Sequence, residues 1–314
     1  METFKEIVAI AETLSNVKKN VGGNAAMMAL RVATEGAEVL LGASLGTKMR
    51  QHFPPSIKVA GHVRDGEHED VHLLLEYAKG ATWNGMTSPR ANRYYVNHDI
   101  ANAQLAALEE FDDALTPFKA DVVVIGGLQL LEVDTNTTRR VERLRDLSTV
   151  LQSIYVQRIP MHLELAAASD FTLFHDMVNL VLPWINSIGL NEQELHILHH
   201  YLLTGEEAIT APSRPNVATV TGMMAALIKY SESSRKMSSK SLPLTTLDRI
   251  HFHTLPFHII CTRTDSPWGL SHNALVRSAY VSTLLACGDA STGKIKAQDI
   301  EVLLPRKIHI GADR

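Results

Sequence analysis

At 314 residues, 45% of them hydrophobic and 20% charged, the chain has ample material for one large domain or two small ones. Its formal net charge of −4 gives no basic excess of the kind that nucleic acid or an anionic membrane attracts. Cys261 and Cys287 are too few for a disulfide framework and lack zinc-site spacing, and no apolar run reaches the ~18 residues of a membrane span.

Residues 2–15 place Phe4, Ile7, Val8, Ile10 and Leu14 near one face and predict an amphipathic helix without a signal-peptide core. Gly22-Gly23-Asn24 reads as a tight turn opening a second helix, and Val39 to Gly42 as a buried strand. From 53 to 98 the texture changes. Strands over Val71 to Tyr77 and Asn92 to Val96 flank a glycine-bearing loop with Trp83, which predicts hairpin-like material in a small lid.

Alternation of helix and strand then resumes. Residues 100–116 predict a helix and Asp121 to Gly126 a fully buried parallel strand. A helix over 135–154, a strand over Met161 to Leu165 and a helix over 170–182 follow. Ile185 to Leu190 predicts a strand, Glu192 to Leu203 a helix, and 217–230 another helix between polar loops. Ile250 to Leu255 predicts a strand continued by Phe257 to Thr262, before a helix over 272–287. The whole predicts an α/β fold, with no internal repeat.

Two strand tips carry polar clusters, His162-Leu163-Glu164 and Asn191-Glu192-Gln193-Glu194. Ligands of open α/β sheets bind at such tips, and two acidic tips suit a magnesium-bound phosphate. Asn191 and Glu194 also have the spacing of a helix capping box, and one arrangement can serve both ends. His162 and Glu164 alternate, so they share a face; a buried carboxylate there needs a partner, and a cation is one option beside solvent. The amides of Gly22 to Asn24 can hold a hydroxyl or an anion, or simply turn the chain. His98-Asp99 reads as a polar loop pair. The pairs His251/His253 and His199/His200 lack further ligands, so zinc is not expected.

Several segments in order resemble one family. They include Val21-Gly-Gly-Asn-Ala-Ala26, Ala91-Asn-Arg93, His98-Asp99, His162-Leu-Glu-Leu-Ala166, Leu190-Asn-Glu-Gln-Glu-Leu195 and Arg249-Ile-His-Phe-His-Thr-Leu255. Together they are similar to the eukaryotic ADP-dependent glucokinases of the ribokinase-like superfamily. The resemblance implies a three-layer α/β/α domain over 1–52 and 99–314, with 53–98 part of a β-rich lid on the sugar side. It implies magnesium-dependent phosphoryl transfer from ADP to glucose in glycolysis, giving glucose 6-phosphate and AMP. It assigns Glu164 and Glu194 to the metal, His162 and Asn191 to metal and phosphate placement, and Gly22, Gly23, Asn24 and His98 to the sugar.

The resemblance has departures. Family members carry an Asn- and Asp-bearing strand before the matching region and a Gly-x-Gly-Asp turn after it, whose Asp is the general base. Neither is present; Ala286 to Ala290 and Gly311 to Arg314 are poor substitutes. The expectation is a chain truncated at both ends, with a non-catalytic sugar- or nucleotide-binding protein as the alternative. A monomer is expected, with glucose and ADP as partners and no nucleic acid. The compartment reads as cytoplasmic on this sequence, with the secretory route open if a signal precedes it.

Overall fold

The computed structural model describes residues 2–64, 70–166, 168–208, 216–237, 247–254 and 257–287. The chain divides into two compact units, one of Met1–Ala120, Gly126–Val150 and Ala168–Asp176, the other of Asp121–Ile125, Leu151–Ala167 and Met177–Arg314.

The first unit opens with α1 (Glu2–Glu12) and α2 (Asn24–Thr34), followed by β1 (Val39–Gly42), β2 (Leu45–Gly46), α3 (Thr47–Arg50), β3 (Ile57–Ala60) and β4 (Val63–Arg64). β1 pairs in parallel with β3, and β2 with β4. Ala29, Leu41 and Ile57 form a small core beneath α2, joined by Leu30, Val39, Phe53 and Val59. The ribbon of β5 (Val71–Tyr77) and β8 (Asn92–His98) encloses a smaller hairpin, β6 (Thr82–Trp83) and β7 (Met86–Thr87). Asn84 and Gly85, at φ 49° and 77°, supply the two left-handed residues that a two-residue hairpin turn requires. The expected helix over 100–116 is instead a short helical turn, Asn102–Gln104, and then α4 (Leu108–Phe118). Leu105 is left-handed at φ 48°, which breaks the helix between them.

β9 (Val123–Gly126), α5 (Thr137–Val156), β10 (Met161–Glu164), α6 (Phe171–Leu180), β11 (Ser187–Leu190), α7 (Glu192–Thr204), α8 (Val217–Met237), β12 (Arg249–His253), β13 (His258–Thr262) and α9 (Ser271–Cys287) complete the described chain. α5 and α6 contribute residues to both units. The second unit is built on a five-stranded sheet of order β13-β12-β11-β10-β9. β10, β11 and β12 run parallel to one another, while β13 returns antiparallel to β12. The segment read as one continuing strand is therefore a hairpin. β9 stands at the end of this order, so Val124 is 41% exposed while Val123 and Ile125 are buried; the strand alternates rather than being buried on both faces. β11 lies mid-sheet with all four residues buried. α7 packs on β11 and β12, and α8 and α9 on β13. Leu190, Leu195, Val220, Ile250 and Phe252 have no exposed surface. No helix of the described residues is long and apolar enough to cross a membrane.

Gly61 marks a close approach. Its φ is +142°, and an added Cβ would stand 2.3 Å from the Ala43 carbonyl oxygen. Gly80 shares the positive φ, at +83°, but has open space around it. Gly80→Ala is expected to cost about 1 kcal/mol of stability and Gly61→Ala about 3 kcal/mol or more, since only the latter adds a backbone collision. Equal losses in urea unfolding would refute the close packing of Gly61.

Candidate active site

The parallel register of β10, β11 and β12 sets His162, Ser187 and Arg249 in one row across the sheet. Arg249 donates from Nη1 to Ser187 Oγ at 2.9 Å, and Ser187 Oγ lies 2.9 Å from His162 Nδ1. Arginine has no acceptor, so Ser187 Oγ accepts from Arg249, while the direction of the Ser187–His162 bond follows the imidazole tautomer. His162 Nε2 faces Glu164 Oε2 at 3.4 Å. On the other side Glu164 Oε1 lies 3.0 Å from His253 Nε2. The result is a connected row, Arg249, Ser187, His162 and Glu164, closed by His253.

Room for this carboxylate comes from β11. Gly189 is the register partner of Glu164, and a Cβ on it would stand 2.2 Å from Glu164 Oε2. Burial pushes the Glu164 pKa up, but the bonds from His162 and His253 outweigh it and hold the group at about 2. Glu164 is thus a half-buried anion. His253 is raised above the ordinary imidazole value by its bond to Glu164, against burial, with further help from Glu194 and Glu192. His251, buried beside His253 and Arg249, falls to about 3 and is neutral. The Arg249 guanidinium lies 5.1 Å over the Trp268 ring.

Asn191 and Glu194 form the complete capping box of α7. Asn191 Oδ1 accepts from the amides of Gln193 and Glu194, while Asn191 donates from its backbone N and from Nδ2 to the two Glu194 oxygens, both at 2.8 Å. Glu194 is buried there. The sequence-predicted residues of the second unit therefore assemble as two pairs, His162 with Glu164 and Asn191 with Glu194, both acting on or beside His253. Among the described residues no group of three or more His, Cys, Asp or Glu is placed to hold a metal ion. Gly22, Gly23, Asn24 and His98 belong to the first unit. Gly23, at φ +86°, opens α2 at Asn24, and His98 stacks on Phe4 at 5.8 Å. Gly288 to Ala290 and Gly311 to Arg314, where substitutes for the Asp turn were sought, lie outside the described residues.

His253, Ser187, Arg249 and Gly189 were not singled out for the site from sequence. The alternation of His251 and His253 was visible, yet a carboxylate partner 89 residues away along the chain was not. Ser187 and Gly189 looked like ordinary small residues of a buried strand.

The Glu164–His253 pair has a defined pH signature. Glu164, lowered from 4.5, contributes stability that is complete above pH 4.5 and is lost as pH falls toward about 2. His253, raised from 6.5, contributes stability complete below pH 6.5 and lost as pH rises through its folded value. In histidine proton NMR, His253 is expected to titrate above 6.5 in the wild type and at a lower pH in Glu164→Gln. An unmoved His253 would break the assignment of Glu164 as its partner.

With the geometry described, likeness to known proteins can be read. A family model described as the ADP-specific phosphofructokinase/glucokinase conserved region matches residues 1–314. The chain is 32% identical over 289 residues to an ADP-dependent glucokinase of Bos taurus, covering 91% of this chain and 56% of that protein. It is 31% identical over 291 residues to a probable ADP-dependent glucokinase of Caenorhabditis elegans, covering 91% and 57%. The chain thus spans somewhat more than half the length of these relatives. The crystal structure of a hypothetical ADP-dependent phosphofructokinase from Pyrococcus horikoshii superposes with a TM-score of 0.62 at 15% identity, over 90% of this chain and 64% of that one. An ADP-dependent kinase complex with fructose-6-phosphate and ADPβS superposes at 0.60 and 14% identity, over 88% and 62%. The fold is the α/β one that the sequence resemblance implied, shared with these ADP-dependent kinase structures. On the match over its full length, the chain belongs to the ADP-specific phosphofructokinase/glucokinase family.

Proposed function

We propose that this chain carries the magnesium and phosphate side of an ADP-dependent glucokinase. The 6-hydroxyl of glucose attacks the β-phosphorus of ADP, an O–P bond forms, the P–O bond to AMP breaks, and the hydroxyl proton passes to a base. One observation supports the site above others: Glu164, a half-buried and ionised carboxylate at the carboxyl end of a parallel strand, is held between two imidazoles. Such an end of an α/β sheet is where phosphate ligands bind. The names of the bovine and nematode relatives supply the donor and the sugar.

Glu164 and Glu194 are the residues that would hold magnesium. Their donors are hard oxygens, as this ion demands, yet each of the four carboxylate oxygens already faces a protein donor. A carboxylate oxygen keeps a further lone pair, so the fit is to a hydrated ion held through its waters. When bound, magnesium would neutralise phosphate charge. His162 and His253 keep Glu164 ionised and fixed in orientation, and Asn191 does so for Glu194. Gly22, Gly23, Asn24 and His98 are read as the sugar side, and 53–98 as part of a lid whose closure excludes competing water. A second reading has one observation in its favour. The sequence holds no Gly-x-Gly-Asp turn, so a chain that binds sugar or nucleotide without turnover is the alternative; loss of a general base costs about 10²–10⁴-fold.

The test is glucose 6-phosphate formation by the full chain with glucose, ADP and magnesium, with ATP in parallel. Turnover that requires magnesium and prefers ADP is expected, falling about 10²-fold or more in Glu194→Ala. Sugar or nucleotide binding without turnover selects the alternative. Turnover unchanged in both Glu194→Ala and Glu164→Gln removes these residues from the site.

A further inference from the structure

A second cluster of ionisable groups lies in the first unit and has no part in the chemistry above. Asp99 follows β8 and is 2% exposed. Its carboxylate accepts from Asn102 N at 2.9 Å, from Asn102 Nδ2 at 2.7 Å and from His72 Nε2 at 3.0 Å. Burial pushes its pKa up, but these bonds outweigh burial and hold it below the usual carboxylate value. An ionised carboxylate only accepts, so His72 carries its hydrogen on Nε2. In that tautomer Nδ1 is the acceptor, and the Tyr95 hydroxyl meets it and donates.

The β5–β8 register builds this contact. His72 pairs with Asn97 and Leu74 with Tyr95, so His72 and Tyr95 are diagonal neighbours on one face of the ribbon. Their rings meet edge-on at 5.4 Å and 75°. The order of buried carboxylate, tautomer-fixed imidazole and hydroxyl is the arrangement by which a general base activates a hydroxyl nucleophile.

We propose that Tyr95 is a base-activated hydroxyl and a site of covalent acylation by small activated acyl donors. Tyr95 Oη attacks the acyl carbon and a C–O bond forms, while the phenolic proton moves to His72 Nδ1. The bond from the acyl carbon to the leaving group breaks, and His72 returns the proton to that group. Asp99, 3.0 Å from Nε2, stabilises the imidazolium formed in between. Tyr94 is a built-in control. It is 64% exposed against 46% for Tyr95, and it pairs with Leu75 on the opposite face. Exposure alone makes Tyr94 the faster residue; the relay makes it Tyr95.

The full chain is treated briefly with N-acetylimidazole at neutral pH, and acetylation at each tyrosine is read by fragmentation mass spectrometry. Tyr95 is expected to react on the order of tenfold faster than Tyr94. That advantage is expected to vanish in His72→Gln, with Tyr94 unchanged and the circular dichroism native. The wild type in urea supplies a measurement that needs no variant, and there the advantage must also vanish. Tyr95 reacting no faster than Tyr94 in the native chain overturns the proposal. So does an advantage that survives in folded His72→Gln or in urea.

Discussion

The constraint on which the candidate site depends is the placing of one half-buried carboxylate at the tip of a parallel strand. Glu164 occupies the space above Gly189 and is held by His162 and His253. A lone charge there would be costly, so every neighbour is arranged to support it. Arg249 and Ser187 hold His162 from its Nδ1 side, which orients Nε2 toward the carboxylate. A side chain at Gly189, or a one-residue slip in the register, would dissolve the arrangement, because a shift by one turns each side chain to the other face.

The second acidic residue is supported differently. Glu194 is held by its own helix, through reciprocal bonds with Asn191 that depend on nothing farther than three residues away. One carboxylate of the site is thus a tertiary product and the other a local one. The positive end of the α7 dipole favours negative charge at Glu194 and Glu192, and both act on His253. Cap and ligand seat are compatible roles, since a capping carboxylate still presents lone pairs outward.

The first unit follows another economy. Its ribbon exposes Leu74, Leu75, Tyr94 and Tyr95 and carries little core of its own. Polar contacts from His72 through Asp99 to Asn102 tie β5 to the turn that follows β8. His98 stacks on Phe4 of α1, so the strand end is also fastened to the amino-terminal helix. The same ribbon was readable in the sequence as two strand runs around a glycine-bearing loop with Trp83, while the turn at Asn84 and Gly85 came from the structure.

What the sequence by itself determined was whatever rests on short-range periodicity and on local polar spacing. The α/β alternation, the strand runs of β5 and β8, the opening of α2 at Gly23 and the Asn191–Glu194 cap are all of this kind, because the signal for each lies in residues a few positions apart. The family resemblance was legible from ordered short motifs. Other features were decided only by tertiary structure. Whether β9 is buried on both faces depends on its place in the strand order, and whether 250–262 is one strand or two depends on a reversal at residues outside any periodic signal. The site shows the same division. His162 and Glu164 were visible on one strand, but Ser187, Arg249 and His253 join them through sheet register, and register is set by packing of whole strands rather than by any residue's neighbours in sequence.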